Sequence, residues 1–387
     1  MKVLLVEPPY SRTLPPVGLM KFSTYHKNRG DKVKFFRGEP WFQSWNPDRV
    51  YVTSLFTWDI FKVINTIKAC QFAFPQADIR VGGIAATVMH NKIKNATGIS
   101  PHLGLSRKVD GCKPDYSLFP NLPYSLVTTT RGCPRGCGWC FVKTIEPEFF
   151  EKSDWLSQVD MSKKRIQFMD NNFLASSQHH IKSVFKTLRK IDKWYDFNQA
   201  IDCRLFTDKI ARYMSKTKPE LVRFSFDTLG VAEHAVKAIK TCERHGLNHI
   251  MFFILYNWKF HNKARDSPAD MFNRMEILTK ASKNMSVRIF PMYYRSTLDT
   301  MKRITGNGEW STKQVLNFRR CLGGHHPYAY GLVIPVGGST KANLRIFHKV
   351  FGRTAEEFAE RMRLRPRKVF LKDHPQQDET PFLTESR

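Results

Sequence analysis

Thr130-Arg131-Gly132-Cys133-Pro134-Arg135-Gly136-Cys137-Gly138-Trp139-Cys140-Phe141 sets three cysteines at the spacing C-x3-C-x2-C in a glycine-rich loop. The loop directly follows Tyr124-Ser125-Leu126-Val127-Thr128-Thr129, an apolar, threonine-rich run that reads as a strand. Three thiolates on one short loop can hold three corners of a four-iron cluster, because Cys thiolates are the usual ligands of such clusters. No fourth cysteine is supplied locally. One iron is then left open for a small molecule, as a catalytic zinc keeps an open position. Glycines in the loop let the backbone turn tightly and approach the cluster closely. A structural zinc would want a fourth Cys or His at ligand spacing, and none lies within ten residues on either side. A disulfide would leave one of the three thiols over and would suit a secreted protein better.

Composition bounds the rest. The chain has 387 residues, enough for two domains or one large one with a sizeable core. Hydrophobic residues make up 42% and charged residues 25%, an ordinary globular balance. No run of eighteen apolar residues occurs, so a transmembrane helix is not expected. Met1-Lys2-Val3-Leu4-Leu5-Val6-Glu7 is interrupted too soon to read as a signal peptide. Eight cysteines, three of them clustered, fit a metal site in a reducing cytoplasm rather than a disulfide framework. Lys and Arg number 62 against 34 Asp and Glu, a net charge of +28. That surplus draws a protein towards polyanions, nucleic acid first among them. A broadly basic enzyme with no such partner is the other reading of the same charge, since no basic block dominates.

The N-terminal third alternates strand and helix patterns. Strands are expected at 2–9, 32–36, 49–56 and 78–81, and helices at 16–29 and 58–74. Gly82-Gly83 reads first as a strand-end turn, and otherwise as a cradle for a phosphate or a corrin edge. This alternation predicts a doubly wound, Rossmann-like parallel sheet over residues 1–95. Residues 96–123, rich in Gly and Pro, read as a connector. From Tyr124 the alternation resumes, with strands at 124–129, 165–170, 198–204, 221–227, 248–256 and 287–294. Helices are expected between them at 178–191, 207–216, 231–245 and 268–283. Two strands carry polar residues at alternate positions: Asn198, Asp202 and Arg204 on one, Arg223, Ser225 and Asp227 on the other. Polar residues on one face of a helix-covered sheet imply a lined cavity. Residues 296–372 form a C-terminal extension with helix-like stretches at 312–321 and 354–363, and 373–387 reads as a flexible tail. Within the extension, His325 and His326 in Gly323-Gly324-His325-His326-Pro327-Tyr328 read first as a hydrogen-bonded loop feature, and second as groups that touch substrate or move a proton.

With Trp139 directly before the third cysteine, the loop resembles the signature of the radical S-adenosylmethionine (radical SAM) enzymes. Residues 1–95 resemble the cobalamin-binding-like domain of one subgroup, through Glu7-Pro8-Pro9, Pro15-Pro16-Val17-Gly18-Leu19, Thr53-Ser54-Leu55 and Val81-Gly82-Gly83-Ile84-Ala85-Ala86-Thr87. Asp115-Tyr116-Ser117-Leu118-Phe119 resembles the subgroup's lead-in to the cysteine domain. The resemblance covers about residues 1–295 and implies a partial (β/α)6, TIM-like barrel over 124–295. It implies a 4Fe-4S cluster on Cys133, Cys137 and Cys140, with SAM on the open iron through its amino and carboxylate groups. Reductive cleavage of SAM to a 5′-deoxyadenosyl radical follows in that family. The subgroup's cobalamin-ligating pattern, D-x-H-x-x-G, does not occur; His26 and Gly30 approximate it at the wrong spacing. The expectation is a domain that keeps the fold without cobalamin.

Further positions follow by matching elements to the family. Trp139 falls where the adenine region is contacted. Asp170, Asn171 and Asn172, ending the second barrel strand, fall where the methionine ammonium is held, although the family's Gly-Gly-Glu is absent. Asp202, Arg204, Ser225 and Asp227 suit the ribose hydroxyls and the methionine carboxylate. Salt bridges between the same strands would give the same pattern. The implied activity is radical modification of an unassigned substrate, RNA or another polyanion, by methylation or other C–H functionalisation. Methylthiolation is disfavoured, because only Cys70 and Cys112 precede the motif where that group carries three further cysteines. An electron donor such as a flavodoxin or ferredoxin is implied. The alternative is a basic nucleic-acid-binding protein with a structural or redox-sensing cluster.

Overall fold

The computed structural model describes residues 1–11, 14–41, 45–259, 265–283, 285–294, 304–321, 332–334 and 340–364. The His325–His326 pair and the tail from 373 lie outside the described residues. Two compact units emerge, one built on Met1–Ser225 with Arg244–Leu247, the other on Phe226–Glu243, Asn248–Tyr294 and the chain from Ile304.

In the first unit, strands β1 (Lys2–Glu7), β2 (Lys32–Arg37), β3 (Arg49–Thr53) and β4 (Asp78–Gly82) form a parallel sheet in the order β2-β1-β3-β4. Its two faces are visible in β1 alone. Val3 and Leu5 pack with Leu19 of the helix Val17–Lys27. Leu4 and Val6 pack with Ile60, Val63, Ile64 and Ile67 of the helix Ile60–Ala73. Alternate residues thus bury on opposite faces, as a doubly wound sheet requires. Gly83 turns the chain from β4 into the next helix at φ +115°, and a Cβ there would lie 2.6 Å from the Ser54 carbonyl oxygen. The glycine pair is therefore the strand-end turn that its sequence suggests.

The same unit continues with β5 (Tyr124–Val127), β6 (Thr130–Arg131), β7 (Phe150–Glu151), β8 (Arg165–Phe168), β9 (Trp194–Phe197) and β10 (Lys218–Ser225). Four of these run parallel in the order β5-β8-β9-β10, whereas β6 and β7 form a short antiparallel ribbon. The helices Gln178–Ile191 and Asp208–Met214 connect β8 to β9 and β9 to β10. Rings of Phe168, Phe173 and Phe197 stack at 4.7 and 4.6 Å beneath them.

One expected strand is corrected. Residues 198–204 do not form a strand; the strand is Trp194–Phe197. Ala200 has φ +69°, a left-handed turn that ends the ladder. Ile201 then makes a single bridge to Phe224, and Asp202 caps the 3-10 turn Cys203–Leu205. Asn198, Asp202 and Arg204 therefore do not share a strand face.

In the second unit, β11 (His249–Tyr256) pairs in parallel with β12 (Ser286–Tyr293), and β13 (Leu332–Ile334) pairs antiparallel to β12. Ser267 and Asp270 form a capping box on the helix Pro268–Ser282, which has Pro at its start. Its Arg274 is fully buried and pairs with Asp266, also fully buried. Trp310, Phe318, Phe351 and Phe358 fill an aromatic core with Tyr256.

Candidate active site

The cysteine loop is closed at its base. Thr130 pairs with Glu151 and Arg131 with Phe150, so the chain leaves and re-enters through the β6–β7 ribbon. Glu146 holds the loop from inside: it accepts hydrogen bonds from the Gly132 amide at 2.7 Å, Arg131 at 3.0 Å and Asn171 Nδ2 at 2.9 Å. Gly132 sits at φ +70°, and a Cβ there would fall 2.1 Å from the Glu148 carbonyl oxygen. Gly132→Ala is therefore expected to cost at least about 2 kcal/mol, from left-handed strain plus the backbone clash. The check is a lowered melting temperature together with a fall in bound iron.

Arg131 also reaches Asp110, which accepts from Lys152 Nζ at 2.7 Å and from Lys21 Nζ at 3.4 Å. Burial alone would raise the Asp110 carboxyl, but Arg131, Lys21 and Lys152 hold it well below the usual carboxylate range. Burial, with Arg131 and Lys152 close by, pushes Lys21 down to about 8 against the pull of Asp110. This knot anchors the cysteine loop to the helix Val17–Lys27.

None of the three motif cysteines is in a disulfide; Cys133 and Cys137 are half-buried and Cys140 is exposed. The Cys133 Sγ accepts from the Arg135 amide at 3.4 Å and from Asn172 Nδ2 at 3.5 Å. Arg204 lies within electrostatic reach of Cys137. Cationic and N–H donors around sulfur suit thiolates that carry negative charge. Elsewhere, burial pushes the thiols of Cys70 and Cys321 up to about 12 and about 11, which keeps them protonated. Among the described residues no three His, Cys, Asp or Glu side chains converge as a metal site. The fit of the loop to an iron–sulfur group rests on its donor chemistry: three accessible thiols in one loop, with hydrogen-bond donors set against them.

Asp170 is deeply buried just past β8. Its Oδ1 accepts four hydrogen bonds, from the amides and hydroxyls of Thr129 and Thr130. Its Oδ2 is buried with no partner, as is Asn172 Oδ1 beside the Cys133 sulfur. Burial raises the Asp170 carboxyl despite those four donors. Two buried acceptors aimed away from protein donors fit a cationic ligand.

Asp202 and Arg204 meet each other. Arg204 Nε and Nη2 donate to Asp202 at 2.7 and 3.0 Å, and Arg135 of the cysteine loop adds a bond at 3.1 Å. Burial would raise Asp202, but Arg204 and Arg135 hold it below the ordinary range. The Arg204 fork is thus engaged by Asp202 in this structure. Ser225 ends β10 half-buried, and its carbonyl accepts from Cys203 Sγ at 3.5 Å. Trp139 is half-buried in the loop. Asp227 belongs to the second unit, where its Oδ1 accepts from the Leu255 amide at 2.8 Å and its carbonyl from Arg274 at 2.6 Å. Glu146, Asp110 and Arg135 were missed from sequence, since no spacing rule distinguishes them from surface charges.

No family model and no curated protein matches this chain. Solved structures do match. The radical SAM methyltransferase TsrM from Kitasatospora setae, with cobalamin and a 4Fe-4S cluster bound, superposes with a TM-score of 0.59 at 12% identity, over 76% of this chain and 74% of that one. The same enzyme with tryptophan and a SAM analogue bound gives 0.59 and 12%, over 76% and 72%. This chain has the radical SAM fold. It combines the Rossmann-like parallel sheet at the N-terminus with the TIM-like barrel strands. Within that fold, the cysteine loop follows the first barrel strand and Asp170 lies just past the second. His26 does not suit a cobalt ligand: it is buried, with Nδ1 2.6 Å from Asp31 and Nε2 3.1 Å from the Tyr51 hydroxyl. No helix among the described residues is long and apolar enough to cross a membrane.

Proposed function

We propose that this protein is a cytoplasmic radical SAM enzyme that cleaves S-adenosylmethionine reductively and begins radical modification of a substrate, by methylation or other C–H functionalisation. The observation that carries this reading is the loop of three accessible thiols, clamped at its base by Glu146. Bound there, a 4Fe-4S cluster would supply the electron for reductive cleavage of the SAM sulfonium. The chain's own residues do the rest. Cys133, Cys137 and Cys140 would hold the cluster, and Asn172 and the Arg135 amide, which donate to the Cys133 sulfur, would steady that ligand. Asp170 Oδ2 and Asn172 Oδ1 suit the methionine ammonium. A flavodoxin or ferredoxin is the class of electron donor. The reading of a basic nucleic-acid protein with a structural cluster has less support, because the fold is one built around SAM chemistry.

The test is anaerobic reconstitution, reduction and chromatography for 5′-deoxyadenosine. The wild type is expected to form it; Cys133→Ala, Cys137→Ala and Cys140→Ala are each expected to lose the cluster and all product. Cys70→Ala is expected to keep both. A fully loaded, reduced wild type that forms none, with or without candidate substrates, points to the structural-cluster reading. Cobalamin is proposed to be dispensable. Protein reconstituted with hydroxocobalamin and desalted is expected to show no corrin absorbance and unchanged 5′-deoxyadenosine output.

A further inference from the structure

The helices Gln178–Ile191 and Asp208–Met214 lie side by side on the first unit, joined by Phe185 and Tyr213, whose rings are 5.8 Å apart. Their inner faces are apolar: Ile181, Val184, Phe185 and Leu188 on one, Ile210, Ala211 and Met214 on the other, all buried. Their outer faces are cationic. Lys182, Lys186, Arg189 and Lys190 are exposed on the first, and Lys209, Arg212 and the following Lys216 on the second. Positions 182, 186 and 189–190 recur at one-turn intervals, so they form a stripe along a helix about 21 Å long.

The nearby carboxylates are committed elsewhere. Asp192 is held by Lys218 at 2.6 Å, and Asp208 by Arg244 at 2.8 Å and His245 at 3.2 Å. Among the described residues none of those seven cations has a carboxylate partner. At the lower end of the stripe stands Trp194, 48% exposed, the first residue of β9. It is flanked in the sheet by Arg165 and Lys218 and preceded by Lys193.

We propose that this face binds single-stranded nucleic acid: the cations track the phosphates and the Trp194 indole stacks on a base. A cationic groove with an exposed aromatic is how single strands are held without sequence readout. An anionic membrane fits less well. A helix that lies on lipid needs exposed apolar residues beside its cations, and none of the large apolar residues of these two helices is exposed: Ile191 and Tyr213 are half-buried and the rest buried. The stripe runs down the outer wall from the strand ends that carry the cysteine loop and Asp170, so it serves as an anchor remote from the chemistry. Binding does not depend on the cluster, so this inference and the proposed activity can fail separately.

The experiment is fluorescence anisotropy of the reconstituted full chain with a labelled 20-nucleotide oligouridine, at 50 and 200 mM KCl. The expected result is an affinity that drops at least about 10-fold across that salt range, as several phosphate contacts require. Lys186→Glu with Arg189→Glu is expected to weaken binding at least about 20-fold, and Trp194→Ala at least about 5-fold. Lys341→Glu with Lys349→Glu, an equal charge change on the helix Thr340–Phe351, is expected to change it less than about 3-fold. Lys186→Gln with Arg189→Gln guards against misfolding of the Glu pair and is expected to weaken binding in the same order. Equal losses from both charge-reversed pairs would overturn the proposal in favour of diffuse charge. Binding to phosphatidylserine vesicles with none to the oligonucleotide would overturn it in favour of a lipid surface.

Discussion

Asp110→Ala is expected to destabilise the first unit by about 3–5 kcal/mol, the usual cost of removing one partner from a buried charge cluster. Three cations face this carboxylate: Arg131, Lys152 and Lys21. Lys21 and Lys152 are almost wholly buried, at 2% and 7% exposure. Their bonds to the Asp110 carbonyl, at 2.6 and 2.9 Å, survive the substitution. The negative charge does not. What remains is three cations in mutual repulsion, Lys21 and Lys152 buried and Arg131 half-buried, with Glu146 paired to Arg131. The loss should be smaller when Lys152→Met is added, because one unpaired charge then disappears. Urea unfolding followed by hydrogen exchange in residues 107–152 checks the magnitude and the place. A pH series adds a second reading. The Asp110 carboxyl is depressed in the fold, so its contribution is full above the ordinary carboxylate range and drains away as pH falls below it. Wild-type stability should therefore fall in acid more steeply than that of Asp110→Ala. Equal acid slopes would mean that the knot is not what holds the loop.

How much of this was legible beforehand depends on the kind of signal. Cys133, Cys137 and Cys140 were readable because spacing itself encodes a shared loop. The helix Gln178–Ile191 was readable to its ends, since Ser177 caps it and its apolar stripe has the helical period. The stretch 198–204 was misread for a local reason: Ala200 takes a left-handed conformation that nothing in its side chain announces. That turn removes the alternation expected of Asp202 and Arg204, yet brings the two side chains together. Glu146 was invisible because its partners, Arg131, Gly132 and Asn171, meet only after the ribbon and β8 are in place. Long-range polar contacts of this sort have no period and no spacing, so they are read from structure alone.

Asp170→Asn is expected to separate folding from ligand binding at the same residue. The carboxylate has two unequal oxygens. Oδ1 takes all four donors of Thr129 and Thr130 and so fixes the turn that leads into the cysteine loop. Oδ2 is buried without a partner. An asparagine can present its carbonyl to the same four donors and keep that turn, while placing an NH2 group where Oδ2 stood. If Oδ2 holds the methionine ammonium of SAM, the variant puts donor against donor and removes the charge. The loss of such a contact is worth about 2–5 kcal/mol, a fall in SAM affinity of roughly 30- to 5000-fold. Iron content and melting temperature should stay close to wild type. Asp170→Ala, by contrast, orphans two amides and two hydroxyls, at about 1–3 kcal/mol for each left unsatisfied, and should lose both fold and binding. Because burial holds the wild-type carboxyl above its ordinary range, SAM affinity should also weaken as pH falls towards that raised value. The Asn variant has no such group and should be flat with pH. Calorimetric titration of SAM into the two loaded proteins across pH 5–8 decides the matter. Unchanged affinity in Asp170→Asn would leave Oδ1 as a structural anchor and move the ammonium site elsewhere.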